Sequence, residues 1–232
     1  MIDLYFWTTP NGYKPLILLE ELALPYHIVP VNIGVGEQFT PNFLAIAPNN
    51  RIPAIVDHDP PDQKGPLSLF ESGAILEYLA TKNNHFLPSS LRPRYKALQW
   101  LHWQMGGLGP MAGQNHHFGH YAPQKITYAI DRYVKETARL YAVMNKQLAD
   151  SEFLAGDYSI ADMACYPWVV PHQRQQQNLD DFPHLKRWFE AIGNRSAVLA
   201  AYACGKTINT KQTVTDASKA ILFGQDASTI KG

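Results

Sequence analysis

The hydrophobic pattern of this chain changes in kind between residues 83 and 94. Before this point, short β-branched and aromatic runs alternate with stretches of helical spacing, in the order β-α-β-α-β-β-α. After it, only helical periods occur. The sequence therefore predicts a mixed α/β domain over residues 1–82 and an all-helical domain over 91–205, with a linker at 83–90 and a polar tail at 206–232.

Turn-forming residues punctuate the α/β region and locate its elements. We expect strands over 2–7, 26–33, 54–56 and 67–70, and helices reaching residue 24, over 41–47 and over 71–80. The last two strands flank a polar loop and predict a β-hairpin. Pro15 falls where a first helical turn tolerates proline, so the first helix is expected to begin close to it.

The helical region carries one long amphipathic helix and a shorter helix with a capping signal. Apolar residues from Ile126 to Leu148 recur at intervals of three, four and seven, which is typical of an amphipathic helix. Ser159 and Asp162 have the spacing of a capping box, in which each side chain accepts from a backbone NH at the helix start. A last clear helix is expected over 183–194, and the sequence leaves open whether the polar tail is flexible or packed.

Charge and composition exclude several functional classes. The 232 residues include 20 basic and 20 acidic side chains. A nucleic-acid-binding protein usually shows a basic excess, and a protein held on anionic lipid shows a basic cluster, so we expect neither partner. The two cysteines, Cys165 and Cys204, form no CxxC pair; the first residues lack the pattern of a signal peptide, and no uncharged apolar run is long enough to span a membrane. We therefore expect a cytoplasmic protein with reduced thiols.

Two local motifs indicate where a ligand binds. Pro53 opens the third strand, either with an ordinary trans bond or with a cis turn. A cis turn would expose the backbone of Ile52, so that an extended peptide pairs with it as an added strand. Glu71 and Ser72 stand where a strand passes into a helix, and together they suit the ammonium and carboxylate of an α-amino acid. Taken alone, Ser72 is more simply a helix cap.

These motifs, in this order, resemble the cytosolic glutathione transferases, and the resemblance covers residues 1–203. Within that family, five stretches are similar to the nu class, the glutathione-dependent disulfide-bond oxidoreductases: residues 9–12, 48–57, 69–75, 106–111 and 114–118. The resemblance implies a thioredoxin-like N-terminal domain with a mixed four-stranded sheet, followed by an all-α domain. It also implies glutathione as co-substrate, no metal, a small disulfide or electrophile as second substrate, and a homodimer.

The resemblance assigns roles to the matching residues around the glutathione sulfur and peptide. Thr9 and Asn11 would lie beside the sulfur at the start of the first helix. Gln38 and the backbone of Ile52 would hold the peptide part of glutathione.

The resemblance places other residues at the ends of the ligand. Glu71 and Ser72 would take the γ-glutamyl end. Arg132 would reach the site from the neighbouring subunit of the homodimer. Arg51 and residues 114–117 would lie near the site, without an assigned role.

A thioredoxin-like domain usually carries its reactive cysteine just after the first strand, but residues 8–11 contain no sulfur. Cys165 and Cys204 are interpreted as packing residues. The nucleophile is then expected to be bound glutathione, its thiolate favoured by hydrogen bonds from Thr9 and Asn11 and by the helix dipole. This thiolate would attack a disulfide, and a second glutathione would resolve the mixed disulfide to oxidised glutathione.

Two other functions stay open on the sequence alone. A transferase that conjugates glutathione to electrophiles would use a tyrosine hydroxyl; Tyr13 lies near the first turn, whereas strand alternation places Tyr5 in the core. A non-catalytic regulatory protein would keep the fold and bind glutathione without turnover. His116, His117 and His120 invite a metal site, but no carboxylate or cysteine stands in register with them, so we expect no metal.

Overall fold

The structure is a computed structural model that describes residues 1–211 and 213–230. The strands of the described residues are β1 (Ile2–Phe6), β2 (Tyr26–Pro30), β3 (Ala54–Asp57) and β4 (Leu67–Phe70). The helices are α1 (Pro10–Glu21), α2 (Pro41–Leu44), α3 (Ser72–Asn83), α4 (Leu91–Trp103), α5 (Gly109–His116), α6 (Thr127–Gln147), α7 (Ile160–Val169), α8 (Pro183–Gly193), α9 (Ser196–Ile208) and α10 (Asp216–Phe223). No helix among these described residues is both long enough and apolar enough to cross a bilayer.

The chain forms two compact units. The first consists of Met1–Lys82 together with the described residues from Leu199 onward, and the second of Asn83–Val198. The first unit contains the whole sheet and the second is helical, as the change of hydrophobic pattern predicts.

The sheet of the first unit is mixed and has the order β2-β1-β3-β4. β1 pairs in parallel with β2 and antiparallel with β3, which pairs antiparallel with β4. The predicted hairpin and the thioredoxin-like, four-stranded sheet are therefore confirmed. All four residues of β3 are buried, because this strand lies inside the sheet.

One of those buried residues is a carboxylate, Asp57, at the end of β3. It accepts hydrogen bonds from Lys82 Nζ and Tyr78 Oη, both at 2.6 Å, and from the Asp59 backbone NH at 3.0 Å. Burial alone would raise the pKa of Asp57, but these donors outweigh burial and hold that pKa below its ordinary value. The side chain is therefore ionised and joins the sheet to the last turn of α3.

The first helix begins earlier than the position of Pro15 predicts. α1 starts at Pro10, in the first helical turn that accommodates proline, and Thr9 caps it with a side-chain oxygen that accepts from Gly12 N at 3.2 Å. Pro15 consequently lies inside the helix, where it donates no hydrogen bond to the carbonyl of Asn11. The hydrophobic spacing around Pro15 therefore placed the helix start about one turn too late, whereas the family resemblance placed it at Thr9 and Asn11, where the structure has it.

The second unit contains the two features predicted for it. The amphipathic pattern forms α6, and Ser159 with Asp162 forms a capping box at the start of α7. Asp162 is fully buried and also accepts from Leu154 N at 3.0 Å and from Trp188 Nε1 at 2.8 Å. Burial raises the pKa of Asp162 to about 6, and these hydrogen bonds only partly offset that effect.

The end of the chain, which the sequence left undecided, is folded over much of its length. α9 runs across residue 205, and α10 follows it. Ile208 packs on a cluster of buried apolar residues in the first unit that includes Trp7, Val31 and Phe43. The segment is therefore packed onto the sheet-containing unit.

Candidate functional site

The strand register brings the residues predicted for the site to one edge of the sheet. Tyr5, Ala54 and Phe70 lie side by side on β1, β3 and β4. Because β3 runs opposite to the other strands, the chain leaving β1, β2 and β4 and the chain entering β3 meet at the same edge. We call this the Thr9 edge; it comprises residues 7–12, 31–40, 50–53 and 71–72.

The start of α1 is the centre of the Thr9 edge. Thr9 has the extended backbone of an N-cap, and its hydroxyl oxygen accepts from Gly12 N, so the hydroxyl proton is left to be donated elsewhere. Asn11 is the second residue of the helix, and the first turn contains no acidic residue. A β-carbon on Gly12 would collide with the Trp7 carbonyl, so this close approach requires glycine. The helix start therefore presents donors and a positive dipole end to an external anion.

The second part of the edge precedes β3. The peptide bond between Ile52 and Pro53 is cis, as one of the two sequence interpretations expected. In the described parts of the chain, the amide and carbonyl of Ile52 take part in no backbone–backbone hydrogen bond. Both groups can therefore pair with an extended peptide ligand in the way a neighbouring strand would.

Gln38 follows β2 on the same edge, in a short 3-10 helix. Its side chain is 2% exposed, and its Nε2 donates to the carbonyl of Ile33 at 3.2 Å. Its Oε1 has no hydrogen-bond partner among the described residues. A buried acceptor without a donor is costly, so this oxygen suits an amide or ammonium donor of a ligand.

The residues after β4 form the third part of the edge. Glu71 is exposed and has a φ of 69°, a left-handed conformation that is uncommon for a residue other than glycine. Such conformations are concentrated at ligand sites. α3 begins at Ser72, which is buried, so the capping position falls on Glu71 and the interpretation of Ser72 as a simple cap does not apply.

Lys14 lies beneath this part of the edge and was missed by the sequence analysis. Its side chain is 1% exposed, and its Nζ donates to Ser72 Oγ at 3.4 Å. This hydrogen bond ties the buried lysine at the start of α1 to the buried hydroxyl at the start of α3, and so fixes the position of the Ser72 oxygen at the edge. The available signal was a lysine one turn after Asn11 in an otherwise apolar helix segment.

Arg51 lies beside Ile52 on the same edge. Its Nη1 donates to Asn50 Oδ1 at 2.5 Å and to Gln225 Oε1 at 2.6 Å. Burial lowers the pKa of Arg51. The arginine therefore connects the chain that enters β3 with the part of the chain that follows α9, a link that the sequence did not suggest. We call the described residues after α9, 209–211 and 213–230, the C-terminal segment.

The remaining predicted residues belong to the second unit. Arg132 is exposed on α6. His116 is largely buried, and burial, with the nearby charges of Arg174 and His120, lowers the pKa of His116 to about 4. It is therefore neutral at physiological pH. Within residues 1–211 and 213–230, no group of three or more His, Cys, Asp or Glu side chains is arranged to hold a metal ion.

Neither cysteine has the surroundings of a reactive thiolate. Cys165 is completely buried in α7. Cys204 is half-buried on α9, and burial raises the pKa of its thiol despite the opposing influence of the nearby Tyr26 hydroxyl. A nucleophilic cysteine needs a lowered pKa and access, and these two residues lack one or both.

The two tyrosines near the first turn, Tyr5 and Tyr13, pack against other aromatic side chains. Tyr13 stacks on Tyr202 with ring centroids 4.1 Å apart, and its hydroxyl leaves no room for a side chain at Gly205. Burial raises the pKa of Tyr13, and it raises the pKa of Tyr5 as well. Tyr5 also packs on Phe43, with ring centroids 5.9 Å apart and the rings tilted by 50°. Neither phenol has the lowered pKa expected of a group that activates a thiol.

The comparisons with known proteins agree with this arrangement. The family profile described as "Glutathione S-transferase, N-terminal domain" matches residues 2–81, and that described as "Glutathione S-transferase, C-terminal domain" matches residues 114–196. Disulfide-bond oxidoreductase YfcG of Escherichia coli (strain K12) is 59% identical over 198 residues, which cover 85% of this chain and 92% of that relative.

Two crystal structures extend the likeness to the fold. A glutathione transferase family member from Pseudomonas fluorescens pf-5, with two glutathione bound, has a TM-score of 0.81 and 41% identity, covering 86% of this chain and 91% of that chain. A glutathione transferase from Pseudomonas putida, with one glutathione disulfide bound per subunit, has a TM-score of 0.82 and 40% identity, covering 86% and 90%. This chain belongs to the glutathione S-transferase family, in its nu-class branch.

Proposed function

We propose that this protein is a glutathione-dependent disulfide-bond oxidoreductase whose reactive sulfur is that of bound glutathione. The observation that carries the proposal is the start of α1, where a capping hydroxyl, an asparagine and the positive end of the helix dipole converge without a cysteine or an acidic side chain. The name of the relative YfcG, a disulfide-bond oxidoreductase, supports the same reaction.

The Thr9 edge matches glutathione in chemistry from end to end. Glu71 would accept from the γ-glutamyl ammonium, and Ser72, oriented by Lys14, would donate to the γ-glutamyl carboxylate. The backbone of Ile52 would pair with the cysteinyl residue, and the unpartnered Oε1 of Gln38 would accept from an NH of the peptide. The neighbours with bound glutathione and glutathione disulfide support this choice of ligand.

The sulfur would then lie at the start of α1. A free thiol has a pKa of about 8.5, so only a few per cent is thiolate at neutral pH. Donation from the Thr9 hydroxyl and the Asn11 amide, with the helix dipole, favours the charged form. Each unit by which the pKa falls corresponds to about 1.4 kcal/mol, within the range of one charge-assisted hydrogen bond.

Two exchanges complete the reaction. The bound thiolate attacks one sulfur of the substrate disulfide; a new glutathione–substrate S–S bond forms, and the other substrate sulfur leaves as a thiolate that takes a proton from water. The thiolate of a second glutathione then attacks the glutathionyl sulfur, forming glutathione disulfide and releasing the second substrate thiol. In total, two glutathione molecules are oxidised and one disulfide is reduced to two thiols.

We further propose that the protein acts as a homodimer in which Arg132 of one subunit reaches the site of the other. Its exposure on α6 leaves the guanidinium available to a neighbouring subunit. Substitution of Arg132 by alanine is expected to weaken glutathione binding in the dimer and to leave the fold unchanged.

The experiment that tests the function compares two substrates with the same enzyme. A small organic disulfide and an aryl chloride are each supplied with reduced glutathione, and product formation is followed. We expect rapid disulfide reduction and little conjugation. Preferred conjugation would favour a conventional transferase, and tight glutathione binding without either product would favour a regulatory protein.

A further inference from the structure

The C-terminal segment contacts the turn that carries Thr9. Asn209 follows α9, and its Nδ2 donates to Thr8 Oγ1 at 2.7 Å and to Thr213 Oγ1 at 2.9 Å. Trp7 Nε1 donates to the same Thr213 oxygen at 3.0 Å. The two residues that precede Thr9 are thus each tied, by side-chain hydrogen bonds, to residues some two hundred positions further along the chain.

Further hydrogen bonds hold Asn209 and Thr213 in place. The Oδ1 of Asn209 accepts from Lys211 N at 3.1 Å, which orients the amide so that its NH₂ faces Thr8. Ser218, at the start of α10, donates from Oγ to the Thr213 carbonyl at 2.9 Å. Asn209 is therefore a pre-oriented donor to Thr8.

A second link joins the same segment to the Thr9 edge. Gln225 accepts from Arg51 through Oε1 and donates from Nε2 to the Ile221 carbonyl at 3.1 Å. The C-terminal segment therefore contacts both the turn after β1 and the chain that enters β3. The family profiles end at residue 196, so this arrangement is a property of the chain beyond them.

We propose that Asn209 is a positioning residue of the disulfide-reducing site, which acts on the Thr9 hydroxyl through Thr8. Thr9 N donates to the Trp7 carbonyl at 2.8 Å, so residues 7–9 form a tight turn in which a displacement of Thr8 moves Thr9. Holding Thr8 fixes the direction in which the Thr9 hydroxyl donates. The proposal rests on the proposed function, because the group that receives that donation is the glutathione sulfur.

The test is a double-mutant cycle with a readout on the bound thiol. Asn209→Ala, Thr8→Val and the double variant are compared with wild type in kcat, in KM for glutathione, and in the pKa of bound glutathione, measured from thiolate absorbance against pH. Each single variant is expected to raise the thiol pKa and to lower kcat about fivefold, as for the loss of one hydrogen bond. The double variant is expected to be no worse than either single variant, because both remove the same contact.

Lys211→Ala is the matched control, since Lys211 is exposed on the same segment. Lys211 contacts Asn209 only through its backbone NH, which the substitution keeps. Unchanged thiol pKa and kcat in Asn209→Ala, or fully additive effects in the double variant, would overturn the inference while wild-type activity stands. If Asn209→Ala fails to fold, Thr8→Val measures the same contact from the other side, and a wild-type thiol pKa in that variant overturns the inference. A wild type that reduces no disulfide with glutathione overturns the proposed function, and the inference with it.

Discussion

The starts of α1 and α7 use the same capping chemistry for opposite purposes. At α7, the Ser159 hydroxyl is buried and the helix supplies its own anion, the fully buried Asp162. At α1, Thr9 is partly exposed and no acidic side chain occupies the first turn. One helix start is satisfied within the chain, whereas the other has donors and a dipole directed at something outside it.

The contrast separates structural from functional anion sites. At α7 the Asp162 carboxylate offsets the helix dipole, while the NH groups of Ile160 and Ala161 donate to the Phe86 carbonyl and the Ser159 hydroxyl. The start of α7 therefore contributes to stability, because the chain itself supplies its anion and acceptors. A capped helix start without that carboxylate keeps its positive potential. The contrast predicts that substitutions at α7 change the free energy of unfolding, whereas substitutions at α1 change the reaction.

The largest effect is expected at Asp162. Asp162→Ala leaves the NH groups of Leu154, Ser159 and Trp188 buried without their acceptor, and each unpaired group is costly. We expect the free energy of unfolding to fall by about 3 kcal/mol or more, measured by chemical denaturation. Asp180→Ala, which removes an exposed carboxylate, is the control and should change the free energy of unfolding little. A loss at Asp162 as small as that of the control would contradict the structural role of the box.

The next largest effect is expected for substitution of Asn11, and it should fall on the rate of disulfide reduction. Asn11→Ala should lower kcat for disulfide reduction by about tenfold to a hundredfold, as expected for the loss of one hydrogen bond to a charged group. Glutathione affinity, measured by titration calorimetry, should change much less. Asn194→Ala, at the exposed end of α8, should leave both unchanged. An Asn11 variant with wild-type kcat would remove this residue from the mechanism.

The pH dependence of stability should have opposite signs at two buried carboxylates. The folded pKa of Asp162, about 6, lies above its unfolded value, so its contribution is present at low pH and is lost as pH rises through 6. From pH 4 to 7, wild type should lose on the order of 2 kcal/mol relative to Asp162→Asn. The folded pKa of Asp57 lies below its ordinary value of 3.8, so its contribution is present above about pH 4 and is lost as the pH falls further. Asp57→Asn is therefore compared with wild type below pH 4 and Asp162→Asn between pH 4 and 7, and the same sign of pH dependence for the two would refute the assignment.

A smaller effect is expected at Lys14, on binding. Lys14→Met keeps the apolar stem but removes the charge that orients Ser72, so the dissociation constant for glutathione should rise about tenfold. kcat should fall less than affinity does. Lys64→Met, at an exposed loop position, is the control. Equal binding by the two variants would show that Lys14 serves only packing.

The sequence predicted the parts of this site that are local. The cis turn at Pro53, one of two alternatives that the sequence left open, depends on a few neighbouring residues, as does the capping box at Ser159 outside the site, and the structure contains both. The residue spacing alone placed the start of α1 too late, because Pro15 gave a stronger local signal than the Thr9 cap, and the family resemblance placed it correctly.

Contacts between distant parts of the chain were not predictable in this way. Lys14 meets Ser72 only because β1 and β4 direct the following helices to one edge of the sheet. Asn209 meets Thr8 only because α9 brings the C-terminal segment back onto the first unit. No periodicity or short motif encodes such pairs, since each depends on the register of the whole sheet or the path of a helix.

The central claim is that the reacting sulfur belongs to glutathione and not to the protein. Its most direct test is the double variant Cys165→Ser/Cys204→Ser, assayed for reduction of a small organic disulfide at saturating glutathione, with folding checked by circular dichroism. Because neither thiol has the surroundings of a nucleophile, the account predicts a kcat indistinguishable from wild type. A folded double variant that has lost its activity would show that a protein thiol takes part and would contradict the account.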